Sequence, residues 1–299
     1  MKMNPILHKE LRLNMRTPKF PLTLTLYNLA LSSVAILMLA SFQNTLSSGW
    51  TIYYADILGI FDVLGWIQCI LICFIIPVTT ACSIAGEKER QTFDLLLTTT
   101  IHPFKIVIGK LIASICTTLL LVLSSIPILT ISFILGGMEW QYILYFAIMS
   151  VVISILIGSI GICCSAFAKT TKVAIVFTFL GECFFLCITS FGTTIIKYAY
   201  YILTYDSAIG EGINLNIQWS AILVLLNPIA LYYDFMQKSL GRNGISEAIY
   251  NTFDISYNNK LDQLMEYGWF PASLIVQLVV AFILLRLSAH IINPIKNRN

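Results

Sequence analysis

Long stretches without a single charge constrain this chain more than any motif does. Phe20 to Ala55 contains no Asp, Glu, Lys or Arg, and the same holds for 63–85, 111–138 and 140–168. A helix crossing a hydrocarbon core about 30 Å thick needs about twenty apolar residues, and each of these runs supplies them. The spans are placed at 21–42, at 63–85, within 111–138 and within 140–168, with a fifth at 173–196 and a sixth at 269–285. Only 11% of the 299 residues are charged and 58% are hydrophobic, against about 25% charged in a soluble domain. The expected fold class is an all-α integral membrane protein with six transmembrane helices. The first apolar run follows about twenty polar residues and is too long for a signal-peptide core, so no cleaved leader is expected.

The segments between the spans set the orientation. Residues 1–20 carry Lys2, Lys9, Arg12, Arg16 and Lys19 against Glu10. Leu7, Leu11 and Met15 recur every four residues, which describes an amphipathic basic helix lying among the lipid headgroups; a plain basic tail is the alternative. With six spans, fourteen of the eighteen basic residues fall on one side, including Lys88, Arg90, Lys105, Lys110, Lys169, Lys172 and Arg286. The positive-inside rule then puts both termini in the cytosol. The long segment 197–268 lies outside, and within it 219–233 is too short and too interrupted at Asn227-Pro228 for a full span. It reads as a re-entrant or interfacial hairpin. The domain order is therefore 1–20, a basic amphipathic helix; 21–196, spans one to five; 197–268, the outer region; and 269–299, the last span and tail.

Several classes of chemistry have no residues to carry them. A formal charge of +3 is too small to indicate nucleic acid. His8, His102 and His290 all fall in flanks of the spans, the eight cysteines sit in apolar runs, and no HExxH or GxSxG is present. Neither a metal site nor a hydrolytic nucleophile is expected. Gly109-Lys110 lacks the rest of a phosphate-binding loop, so a nucleotide would have to bind to another chain. One acidic residue lies inside a span: Glu182, which costs about 3 kcal/mol at the centre of a helix and should face the bundle interior. It is a candidate lining residue of a substrate path, or a neutral glutamate bonded to a neighbouring span. Gly158 and Gly161 suit close approach of helices.

Between spans two and three lies GEKERQTFDLLLTTTIHPFKIVIGK, 86–110. Phe93, Leu96 and Leu97 form an apolar stripe. Glu87 with Gln91, and Arg90 with Asp94, are four apart and pair on the polar face for about 0.3 kcal/mol each. The three threonines 98–100 and His102-Pro103 end that helix, and a second begins near Pro103. A charged helix, a break and a second helix suit a docking surface better than a pocket.

Together with NPILHKELR (4–12), IVIGKLIAS (106–114), SIPIL and LGG within 125–137, and LLNP (225–228), this segment resembles the permease subunits of ABC exporters of the ABC-2 type. The likeness is to a bacterial branch that opens on the same Asn-Pro and Lys-Glu-Leu pattern. The resemblance implies a six-span permease in a bacterial cell membrane, with an amphipathic elbow helix at 1–20, a coupling helix at 86–100 and re-entrant outer helices between spans five and six. It further implies that Glu87, Lys88, Glu89, Arg90, Phe93 and Asp94 contact an ATP-binding cassette subunit, and that a second permease chain, identical or different, completes the transporter. No cofactor is expected on this chain itself, ATP and Mg being held by the partner subunit, and no catalysis is expected of it. Thr100 and His102 depart from the family pattern, which has proline and a small hydroxyl there. The alternatives are a secondary transporter or channel independent of ATP, and a membrane protein that binds a peptide without moving it.

Overall fold

The structure is a computed structural model, and it describes residues 18–47, 54–93, 102–136, 140–206, 211–212, 221–241, 244 and 268–293. The amphipathic start, Asp94 and most of the stripe after it, and much of the outer region lie outside the described residues. The helices are α1 (Lys19–Ser47), α2 (Tyr54–Glu89), α3 (Pro103–Gly136), α4 (Trp140–Phe167), α5 (Thr171–Thr204), α6 (Ala221–Leu225), α7 (Pro228–Ser239) and α8 (Trp269–Ile292). Between α5 and α6, β1 (Tyr205–Asp206) and β2 (Glu211–Gly212) pair antiparallel, with Tyr205 opposite Gly212. Among the described residues six helices, α1 to α5 and α8, are long and apolar enough to cross a membrane.

Most spanning helices overrun the limits expected from hydropathy. The 36 residues of α2 extend about 54 Å at about 1.5 Å per residue, against about 30 Å of hydrocarbon. Charge ends a hydropathy run, but it does not end a helix whose polar side chains find partners.

The chain divides into two compact units, 1–179 with 280–299, and 180–279. In the first, α2, α3 and α4 pack against one another and α1 lies on α2 and α3. The core of α4 is a nearly continuous buried run from Phe146 to Ala166. Gly161 explains how closely the helices approach: a Cβ there would fall 2.0 Å from Thr80 Oγ1 and 3.3 Å from Thr178 Cγ2. At Gly158 it would meet Leu111 Cδ1 at 2.9 Å, so both glycines are the small contacts that the sequence suggests. Polar side chains join the helices in pairs. Asn28 Nδ2 donates to Ser124 Oγ at 3.1 Å and Ser125 Oγ donates to Gln68 Oε1 at 2.9 Å. Large exposed side chains such as Leu26, Ile36, Phe74 and Leu123 cover the outside of the spans, as a lipid-facing surface requires.

In the second unit the apolar stretch 219–233 breaks where the Asn-Pro step predicts. Five-residue α6 ends at Leu225, and Asn227 caps the 12-residue α7, its Oδ1 accepting from Ile229 N at 2.9 Å and Ala230 N at 3.4 Å. Proline at the first helical position needs no partner for an N–H it lacks. Asn227 Nδ2 donates to Ser190 Oγ of α5 at 2.7 Å, and Ser273 Oγ of α8 donates to the Leu225 carbonyl at 2.7 Å. Neither short helix reaches across a bilayer.

Candidate functional site at the charged end of the second helix

Among the described residues, the last two turns of α2 gather several long-range polar contacts. Pro77 removes one backbone donor from the helix. Further along, the Ser165 hydroxyl of α4 sits astride a rung of the helical ladder: it donates to the Ala81 carbonyl at 2.6 Å and accepts from Ala85 N at 2.9 Å and Ile84 N at 3.1 Å. Insertion of a side chain into the ladder is one of the few ways a long helix is made to bend. Ser165 is fully buried, so its hydrogen bonds are made without competition from water.

Beyond that rung come three consecutive charges, each committed to a different helix. Glu87 Oε1 lies 3.0 Å from Lys110 Nζ of α3, whose side chain is 1% exposed. Lys110 also donates to the Ser83 carbonyl at 2.7 Å. Lys88 donates to the Ala166 carbonyl and, at 3.4 Å, to that of Ala168. These are carbonyls at the end of α4, where a helix leaves its acceptors unfilled and its dipole favours a cation. Glu89 Oε2 accepts from Thr171 N at 2.9 Å and from the Thr171 hydroxyl, at the start of α5, where the dipole favours an anion. The order Lys-Glu thus matches the reversed ends of the two helices that it faces.

The chain then turns rather than continuing as a helix. Gln91 N donates to the Lys88 carbonyl and Thr92 N to the Glu87 carbonyl, both at 3.0 Å, with Gln91 at φ +58. This is the pair of bonds of a Schellman motif, with its left-handed position held by glutamine where glycine is preferred. Phe93 follows, 7% exposed, packed with Ile84, Val107, Leu111, Ala166, Leu285 and Ala289, and the Lys88 ammonium lies 5.6 Å from the centre of its ring.

The expectation of a separate helix starting at Gly86 is therefore corrected: Gly86–Glu89 is the last turn of α2. The pairing of Glu87 with Gln91 across one helical turn does not form, because the left-handed residue ends the helix and Lys110 takes Glu87. Asp94 lies outside the described residues. Of the remaining site residues, Glu87, Lys88, Glu89 and Phe93 are engaged within the unit, while the Arg90 side chain is exposed. Glu182 is buried at 5% exposure in α5, in the second unit. Lys110, Ser165 and Thr171 belong to the site although local pattern does not mark them. Lys105 and Lys110 look alike in the sequence of α3, yet only Lys110 is buried against a carboxylate, and Ser165 is one hydroxyl among many.

The start of α3 is finished by two further residues. His102 Nδ1 accepts from Phe104 N at 3.3 Å, doing the work of the hydroxyl cap that the sequence lacks. Arg286 of α8 lies with its Cζ 4.4 Å from the centre of the Phe104 ring and 5.1 Å from that of Phe282. Among the described residues no cluster of three or more His, Cys, Asp or Glu is placed to hold a metal ion. What the arrangement does physically is tie the end of α2 to α3, α4 and the start of α5.

Compared with known families, residues 5–290 match the family described as ABC-2 family transporter protein. No curated protein matches the chain.

Proposed function

We propose, from the premise that the chain belongs to the ABC-2 family of transporter proteins, that it is the permease of an ABC exporter, forming the substrate pathway and coupling to separate ATP-binding subunits. The family is one of membrane transport components that are not themselves catalytic, and it implies an ATP-binding cassette partner in general. The observation that carries the finer reading is the end of α2. Its three charges reach α3, α4 and α5, so a displacement applied at Arg90 to Phe93 is passed to three spans at once. Glu87, Lys88, Glu89 and Phe93 act as transmitters, and Arg90, with Asp94 beyond it, meets the partner.

On this reading both termini and the α2–α3 connection are cytosolic, residues 1–20 form the elbow helix against anionic lipid, and α6 with α7 is the re-entrant pair of the outer region. A second permease chain, identical or different, completes the pathway, and Glu182 lines it. ATP and Mg belong to the partner subunit. Exchange of Arg90→Glu tests the docking: it is expected to release the ATP-binding subunit from a permease that still inserts. Phe93→Ala is expected to leave the subunit bound but uncouple its ATPase activity from transport. Retention of both binding and transport in both variants would overturn the assignment.

A further inference from the structure

The turn joining α4 and α5 is brought against the end of α2 by contacts that the spans alone do not require. Lys88 holds the carbonyls of Ala166 and Ala168 on one side of it, and Glu89 holds the Thr171 amide and hydroxyl on the other. Between them Ala81, Ala85, Ala168 and Ala174 pack as a seam of small buried side chains. A Cβ built on Gly86 would stand 4.0 Å from Thr171 Oγ1. The turn and the last turn of α2 are therefore held in register by two adjacent side chains of opposite charge.

That register places exposed groups side by side. Arg90, Gln91 and Thr92 follow the clamp on one chain segment, and Lys169, Thr170 and Lys172 flank it on the other, all exposed. Lys172 and Arg90 both lie near enough to act on the Glu89 carboxylate. Among the described residues the surface carries three exposed cations against that single carboxylate, which is already occupied by Thr171. Glu87 and Lys110 neutralise each other inside the unit.

We infer that the α4–α5 turn is a second part of the docking surface, and that Arg90, Lys169 and Lys172 together meet an acidic surface on the ATP-binding subunit. This rests on the permease reading above and extends it: contact would be made at two segments of the chain, locked together by Lys88 and Glu89. Complementary charge at the rim of an interface steers association and makes it sensitive to salt. Anionic lipid is the other ligand that three cations could attract, and it predicts a different product.

A photo-crosslinking amino acid placed singly at Arg90, Lys169 and Trp140 in the full-length chain, in its native membrane, separates these cases. Peptide mass spectrometry identifies whatever is captured. The inference expects the ATP-binding subunit at both Arg90 and Lys169, through an acidic peptide at Lys169, and nothing of it at Trp140, which is at the opposite end of α4. Lys169→Glu combined with Lys172→Glu should lower capture at Arg90 by about tenfold, the effect shrinking in high salt. Capture of the subunit at Arg90, with lipid alone or nothing at Lys169, would overturn the inference and leave the permease reading intact. Failure to capture it at either position would overturn both. Unchanged capture at Arg90 in the doubly reversed variant would also overturn the inference.

Discussion

Replacing Lys110 by methionine keeps the length of the side chain and removes its charge, and the surroundings of the ammonium determine the cost. Lys110 is 1% exposed and lies 3.0 Å from Glu87, which is 18% exposed. At an effective dielectric of about 20 the attraction at that separation is about 5 kcal/mol, offset by the cost of taking both groups from water. Removing one member of a buried pair leaves the other uncompensated and costs about 3–5 kcal/mol. The Ser83 carbonyl loses its donor as well. Glu87→Gln strands the more deeply buried of the two charges, so its cost should also be about 3–5 kcal/mol, reduced only by what the amide oxygen recovers by accepting from the lysine. The double variant Lys110→Met with Glu87→Gln should be about 2 kcal/mol more stable than the sum of the two single changes. Reversible unfolding of the detergent-purified chain, monitored by helix signal, measures all four corners of the cycle. Additive losses within about 0.5 kcal/mol would refute the ion pair as the tie between α2 and α3.

Gly161→Ala puts a methyl group 2.0 Å from Thr80 Oγ1, and the overpacking should cost about 1–3 kcal/mol in the same assay; Gly59→Ala, with nothing within 4 Å, should be neutral or slightly stabilising. Gln91→Gly should raise stability by about 1 kcal/mol by relieving the left-handed backbone, and Gln91→Val should lower it. Asn227→Ala removes both the cap of α7 and the bond to Ser190, for a loss of about 1–2 kcal/mol; faster hydrogen exchange at Ile229 and Ala230 would locate the effect.

The spans were legible because burial in lipid writes itself as an absence of charge over about twenty residues, which no local accident imitates. The break at Asn227-Pro228 was legible for a similar reason: an asparagine before a proline can do little else than cap. The end of α2 was not. It is fixed by a left-handed residue, and Gln91 has no preference for that conformation, so nothing in GEKERQ marks the turn. Pairing Glu87 with Gln91 applies the four-residue rule for isolated helices. In the folded chain Glu87 has Lys110, Lys88 has the end of α4 and Glu89 has the start of α5, all distant in sequence and all better matched in charge than a neighbour on the same helix. Local pattern thus marks 86–93 as a charged segment, while the contacts that its side chains make depend on tertiary structure. The hydroxyl of Ser165 belongs to the same class: its role exists only because Gly161 and its neighbours let α4 approach α2 closely enough.

On the proposed function this chain is the membrane half of an ATP-driven machine. Purification of the intact chain from its native membrane in mild detergent, with mass and identity of every polypeptide that accompanies it, tests that directly. The expected result is an ATP-binding cassette subunit in fixed ratio to the permease, with ATP hydrolysis by the complex. A chain that arrives alone, and that moves solute across liposomes without ATP, would contradict it.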